Sequence, residues 1–154
     1  MKIRQLKEQA ERILSAVEEI ERSLERNLIG AELDLTRPQL RTLMSVARNN
    51  HCTMSKLGKL TGYPTSALTG IIDRMIKKRL VRRVRDEHDR RIVKVEATAN
   101  GLKLARQSYR IILRNTGSIL QKVDPDDREK MVSLVEKIAG SFAPEKINAV
   151  KSNW

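Results

Sequence analysis

Between Pro64 and Arg79, Leu68, Ile71, Ile72, Met75 and Ile76 stand at i, i+3, i+4, i+7 and i+8, the apolar stripe of an amphipathic helix. The opposite face carries Ser66, Gly70, Asp73 and Lys77, with Thr69 and Arg74 beside it and Thr65 at the N-terminal tip. Hydroxyls of this kind bond base edges or phosphates, and a threonine methyl can touch thymine. Arg74 suits phosphate or guanine, and a glycine lets a backbone come close to a ligand. Asp73 fits such a face poorly, because a carboxylate repels phosphate; it is expected to orient a neighbouring arginine or to pair with Lys77 at i+4. A second cluster lies just downstream, where Arg82, Arg83, Arg85, Arg90, Arg91 and Lys94 crowd together, and Asp89 stands two residues before Arg91, within reach of an ion pair. A solvated helix face would explain the first group alone. It does not explain six basic residues next to it.

Other chemistry is not legible. The chain shows no glycine-rich phosphate loop, no nucleophile paired with a base and no paired carboxylates placed for a cleft, so no enzymatic activity is expected. Cys52 is the single cysteine, which excludes an internal disulfide framework and a cysteine-cluster metal site. His51 and His88 are too few and too scattered for metal, and no cofactor is expected.

The net charge is +12. Residues 37–110 hold 18 basic and five acidic residues, and the remainder holds 13 basic and 14 acidic ones. The whole excess therefore lies in the middle segment, which favours a polyanionic partner there over a generally basic, merely solubilising surface. No run approaches the roughly 18 uncharged apolar residues of a membrane span, and the charged N-terminus lacks a signal-peptide core. A cytoplasmic chain with no membrane partner is expected.

The elements that must position these residues follow from period and punctuation. Residues 1–28 read as a helix with Ile3, Leu6, Ala10, Ile13, Val17, Ile20 and Leu24 spaced 3, 4, 3, 4, 3, 4, a heptad seam. Glu8/Arg12 and Glu18/Arg22 are expected to pair at i, i+4, and Gly30 to end the helix. Thr36, Pro38 and Gln39 mark the next helix start, which runs through Leu40, Leu43, Met44 and Ala47 to Arg48-Asn49-Asn50. Thr53 caps a short helix, and Thr61-Gly62-Tyr63-Pro64 separates it from the helix of 64–79. The period then drops to 2 over 80–85 and 91–97, two strands of a hairpin around 86–90. Thr98 caps a long helix to about Val123, with a second seam at Leu102, Ala105, Tyr109, Ile112, Thr116, Ile119 and Val123. Asp124-Pro125-Asp126-Asp127 opens a last helix, with Met131, Leu134, Val135, Ile138 and Ala139 on its inner face and Gly140 and Pro144 at its end.

The fold class read from this order is mainly α with a small β-hairpin wing. A winged helix-turn-helix occupies 35–98, a dimerisation helix 1–30, and a linking helix with a C-terminal dimerisation helix 98–144; residues 145–154 form an unassigned tail. In a helix-turn-helix the second helix enters the major groove. A hairpin tip can carry an arginine into a narrow minor groove.

The stretches LTRPQL (35–40), MSKLGKLTG (54–62), TSALTGIIDRMIKKRLVRR (65–83) and DEHDRRIVKVEATANG (86–101) resemble the MarR-type winged-helix regulators, named for multiple antibiotic resistance. The order and spacing of the pieces are far more specific than any one of them. The resemblance covers 35–101 well, and nearly the whole chain by helix pattern. It implies a homodimer whose first and last helices entwine, a palindromic operator in double-stranded DNA, and a transcriptional regulator, most simply a repressor. The implied DNA contacts are Thr65, Ser66, Thr69, Gly70, Arg74, Lys77, Arg90 and Arg91, with Asp89 orienting the wing. It also implies a small lipophilic or anionic effector that releases DNA; Tyr109, on the linking helix, could line its cleft, though a core role fits it better. The alternative is an architectural DNA-binding protein of low sequence specificity. Two positions depart from the family pattern: Arg79, where glycine often leaves the reading helix, and Ala97, where leucine is common. Cys52 lies before a helix N-terminus, where the helix dipole could lower a thiol pKa. Redox sensors of this family carry their cysteine near the first helix, so Cys52 reads as structural.

Overall fold

The computed structural model describes residues 2–28 and 33–142. The expected helix end at Gly30, the stop at Pro144 and the 145–154 tail lie outside these residues. The chain divides into two compact units, residues 1–36 and 37–154.

The first unit is one helix, α1 (Lys2–Leu28). Its seam residues Ile3, Leu6, Ile13, Val17 and Ile20 are exposed. The expected charge pairs are displaced: Glu8 takes Arg4, and Arg22 takes Glu19 one turn back. Both geometries put the partners on one helix face, so spacing alone did not choose between them.

The second unit contains α2 (Arg37–Asn49), β1 (His51–Thr53), α3 (Met54–Thr61), α4 (Thr65–Lys77), β2 (Val81–Arg85), β3 (Val93–Ala97), α5 (Ala99–Leu120) and α6 (Pro125–Phe142). Helix α2 is the centre. It contributes Leu43, Met44 and Val46 to the core and touches α3, α4, α5 and β3. Leu57 of α3, Leu68, Ile72 and Met75 of α4, Val81 of β2 and Val95 of β3 complete that core. Each such side chain contributes about 1.5–3 kcal/mol by leaving water. The apolar stripe read for 64–79 is thus the anchoring face; Ile76, its last member, is half-buried.

The hairpin carries a third strand. β1 pairs antiparallel with β3 (Cys52 opposite Val95), and β2 pairs with the other edge of β3 (Arg83 opposite Val95), giving the order β1-β3-β2. A three-residue strand has no readable period, and it is a strand only because β3 offers an edge.

The caps are where the residues place them. Thr53 Oγ1 accepts from Lys56 N at 3.2 Å, and Thr98 Oγ1 from Gly101 N at 3.0 Å. Asp124 Oδ1 accepts from Asp126 N at 3.0 Å. Helix α6 passes through Gly140 to Phe142, and its apolar residues Leu134, Val135 and Ile138 are exposed rather than inward. Along α5 the buried line is Gly101, Ala105, Ser108 and Ile111, not the heptad seam. Only Ala105 belongs to both, because within this unit α5 lies on α2 and β3.

Helix α4 ends in a Schellman turn. Leu80 N donates to Met75 O at 3.0 Å and Arg79 N to Ile76 O at 2.8 Å, with Arg79 at φ 57°. This left-handed position favours glycine. Arg79→Gly is therefore expected to raise stability by about 1 kcal/mol, read as a higher urea midpoint with the same slope. An unchanged or lower midpoint would count against strain at this turn.

Candidate nucleic-acid interface

The turn between α3 and α4 is built from small residues. Gly62 sits at φ 76° and donates its N–H to Gly58 O at 2.8 Å. Buried Thr61 donates its hydroxyl to Leu57 O at 2.7 Å and accepts from Tyr63 N at 3.3 Å. Gly58 leaves room for the turn, since a Cβ there would stand 3.3 Å from Tyr63 O. The Arg41 guanidinium lies 5.9 Å from the Tyr63 ring centroid, a cation–π contact that holds the turn to α2.

With Leu68, Ile71, Ile72 and Met75 buried, α4 presents Thr65, Ser66, Thr69, Arg74 and Lys77 to solvent, with Gly70 and Asp73 partly exposed. Thr69 spends its hydroxyl proton on Thr65 O at 2.9 Å, which leaves its oxygen lone pairs and methyl group for a ligand. A Cβ at Gly70 would meet only the Arg74 guanidinium, at 3.9 Å and beyond. Packing within the chain therefore does not demand glycine there; close approach of another molecule would.

Asp73 is paired with Arg83 of β2, at 2.7 Å, and not with Lys77. The carboxylate thus ties the helix to the wing. Its arginine is not a neighbour on the helix but lies ten residues away in sequence.

Four of the six basic residues counted in the wing are engaged. Arg82 and His51 both pair with Glu96 of β3, His51 at 3.0 Å, so one carboxylate spans all three strands. Arg83 belongs to Asp73, and Lys94 pairs with Asp86. Arg91 is held by Asp89: Nε donates to Oδ1 at 3.0 Å, Nη2 to Oδ2 at 3.1 Å, and the backbone N–H of Arg91 to Oδ1 at 3.0 Å. Arg85 and Arg90 make no ion pair with any described residue and are exposed.

The wing loop is closed from inside. Asp86 accepts the N–H groups of His88 and Asp89. Its ion pair with Lys94, reinforced by these two bonds, lowers the Asp86 pKa to about 2. The Arg91 side chain, then its N–H, lowers that of Asp89. Both carboxylates are therefore charged at neutral pH, and the fork fixes the direction of an arginine that remains 91% exposed. An exposed pair contributes little stability; its work here is orientation.

Thr98 links the exit of α4 to α5. Its hydroxyl donates to Arg79 O at 2.7 Å, and its N–H to Leu80 O at 3.0 Å. The local sequence around Thr98 predicts only a cap. The His51–Glu96 pair likewise has no local signal, since it follows from the β1–β3 register.

Cys52 is fully buried in β1, and burial raises its thiol pKa, with Lys56 opposing in part. The lowering expected from a helix dipole is thus not found, and the structural reading of Cys52 stands. Among the described residues no cluster of three or more His, Cys, Asp or Glu could hold a metal ion, and no helix is long and apolar enough to cross a membrane.

Comparison with known proteins places this geometry. The family model described as MarR family matches residues 33–92. The HTH-type transcriptional regulator YfiV of Bacillus subtilis (strain 168) is 33% identical over 100 residues, which are 64% of this chain. The match spans only 61% of that relative's length. The multiple antibiotic resistance protein MarR of Escherichia coli (strain K12) is 27% identical over 69% of this chain and 74% of its own. The structure of a cysteine-to-serine mutant of E. coli MarR complexed with operator DNA superposes with a TM-score of 0.66 at 25% identity, covering 82% of this chain and 91% of that one.

Proposed function

Because a MarR family model matches residues 33–92 and the relatives that match are regulators of that type, we propose that this chain is a MarR-type, sequence-specific DNA-binding transcriptional regulator that acts as a homodimer on a palindromic operator. The observation that carries this reading is the pairing of two exposed elements on one module. One is the small polar face of α4, centred on a Gly70 that the fold itself does not require. The other is the wing arginine Arg91, forked by Asp89. In this reading Thr65, Ser66, Thr69, Gly70, Arg74 and Lys77 face the major groove. Arg91 enters the minor groove beside Arg90, where a narrow A·T-rich groove attracts guanidinium groups.

The apolar residues left exposed on α1 and α6 support self-association. Ile3 is 86% exposed and Ile13 61%, while Leu134, Val135 and Ile138 all exceed half, more apolar surface than a lone chain ordinarily leaves in water. Residues 1–30 and the last helix of 98–144 would build the dimer, the helix from 98 would link it to the DNA-binding module, and 35–98 would read DNA. Two copies then present two reading helices about one DNA turn apart, which fits an inverted repeat. Such a dimer represses by occupying polymerase's site in the cytoplasm. A cleft of about 190 Å3 lined by Val46, Ala47, His51, Glu96 and Leu102 joins α2, the sheet and α5. It is small for a ligand site, and its Glu96 carboxylate would admit a compact lipophilic effector more readily than an anionic one.

The test is selection of bound fragments from the source organism's genome with purified protein at two salt concentrations. Enrichment of a palindrome at both is expected. Uniform recovery that fades equally with salt would overturn the operator reading and favour an architectural role.

A further inference from the structure

Helix α5 carries a second basic surface that the reading head does not absorb. Lys103, Arg106, Arg110 and Arg114 stand at i, i+3, i+7 and i+11 and are all exposed. At 3.6 residues per turn they fall within an arc of about 80°, on the side opposite the buried line Gly101, Ala105, Ser108 and Ile111. Ala99 and Gly117 are the other residues of that arc, and the whole helix contains no acidic residue.

A solvated face looks different, and α1 supplies the comparison. There the exposed charges alternate in sign and pair as Arg4–Glu8, Lys7–Glu11 and Glu19–Arg22. On α5 the pairs Arg106/Arg110 and Arg110/Arg114 set like charges at i, i+4, which weakens a helix. Lys103, Arg106 and Arg110 make no ion pair with any described residue. A one-sign row kept at that cost is a surface for an external polyanion.

The fold indicates which one. The first turn of α5 is fastened to the exit of α4 by Thr98, which bonds both Arg79 O and Leu80 O. Lys103 is thus just over one helical turn beyond the attachment point, and the row runs from there for about 16 Å. Lys77, Lys78 and Arg79 at that exit are exposed as well, so basic side chains stand on both sides of the attachment point.

We propose that the Lys103–Arg106–Arg110 row of α5 is an additional phosphate-contacting surface for duplex DNA, outside the helix-turn-helix and wing. It acts on backbone charge and carries no base information. This inference rests on the DNA-binding reading above.

The experiment compares the full chain with its Lys103→Gln/Arg106→Gln/Arg110→Gln variant. Binding is measured across a salt series on an operator duplex from the genomic selection and on a mixed-sequence duplex. Glutamine keeps helix propensity, and thermal melting followed by circular dichroism checks the fold. The expected result is a log K against log salt slope shallower by about 0.9 for each lost contact, about 2.7 per subunit, on both duplexes. Operator preference over mixed sequence should be retained. Arg106→Lys/Arg110→Lys should keep the wild-type slope, because a point charge suffices for phosphate. A slope unchanged in the glutamine variant overturns the proposal and leaves the operator reading intact, the row then serving an acidic protein partner. A wild-type chain that binds neither duplex overturns both.

Discussion

Replacing Gly101 with alanine is expected to destabilise the folded chain by on the order of 3 kcal/mol, a fall in melting temperature of roughly 6–12 °C for a chain of this size. A Cβ at this position would stand 2.0 Å from the carbonyl oxygen of Leu80 and 3.4 Å from Leu43 Cδ1. The first contact cannot be relieved by turning a side chain, because the opposing atom is backbone. That same oxygen accepts the Thr98 N–H, and Leu80 N closes the Schellman turn of α4. Any shift that makes room for a methyl group therefore moves the exit of the reading helix. Thermal melting of Gly101→Ala beside Asn100→Ala checks this. The neighbour is exposed and should stay within about 0.5 kcal/mol of wild type. If the two variants melt alike, the close approach of α5 to Leu80 is wrong.

The second large effect concerns function. Arg91→Ala is expected to weaken operator binding by roughly 10- to 100-fold, the range of one specific groove contact, with melting unchanged because the side chain is 91% exposed. Asp89→Asn should lose less. It leaves the guanidinium and removes the charged half of the fork that directs it, so the arginine must be ordered at the moment of binding. Titration of both variants against a selected operator and against mixed-sequence DNA separates the roles. A wing arginine that reads groove shape costs more on the operator, whereas one that touches only phosphate costs equally on both. Equal, small losses for Arg91→Ala on both duplexes would remove the wing from specific recognition.

The two substitutions divide the molecule along a physical line. Gly101 concerns how α4 is held against α5, and Arg91 concerns what the hairpin loop holds out to solvent. Thr98 and Asp73 lie between, joining α4 to α5 and to β2 through single side chains. Displacement at one of the three elements therefore reaches the others.

Much of this was determined locally, and those parts were legible in the sequence. The face of α4, the break at Gly62, the caps at Thr53, Thr98 and Asp124 and the tether from Asp89 to Arg91 each depend on residues within about one helical turn or one hairpin loop. Backbone geometry links such residues whatever the rest of the chain does. The left-handed turn at Arg79 was marked only by likeness to a pattern that often has glycine there.

What the tertiary structure alone decided is the set of relations between elements distant in sequence. β1 is a strand because β3 presents an edge to His51–Thr53. Asp73 meets Arg83 rather than Lys77 because α4 lies against β2. Arg82 and His51 share Glu96 because the register sets them on either side of it. Along α5, packing on α2 and β3 chose the line through Gly101 and Ser108 over the heptad seam. In each case several partners were chemically equivalent in sequence. The choice among them was made by which surfaces the common core around Leu43, Leu57 and Ile72 brings together, information that no local period or cap contains.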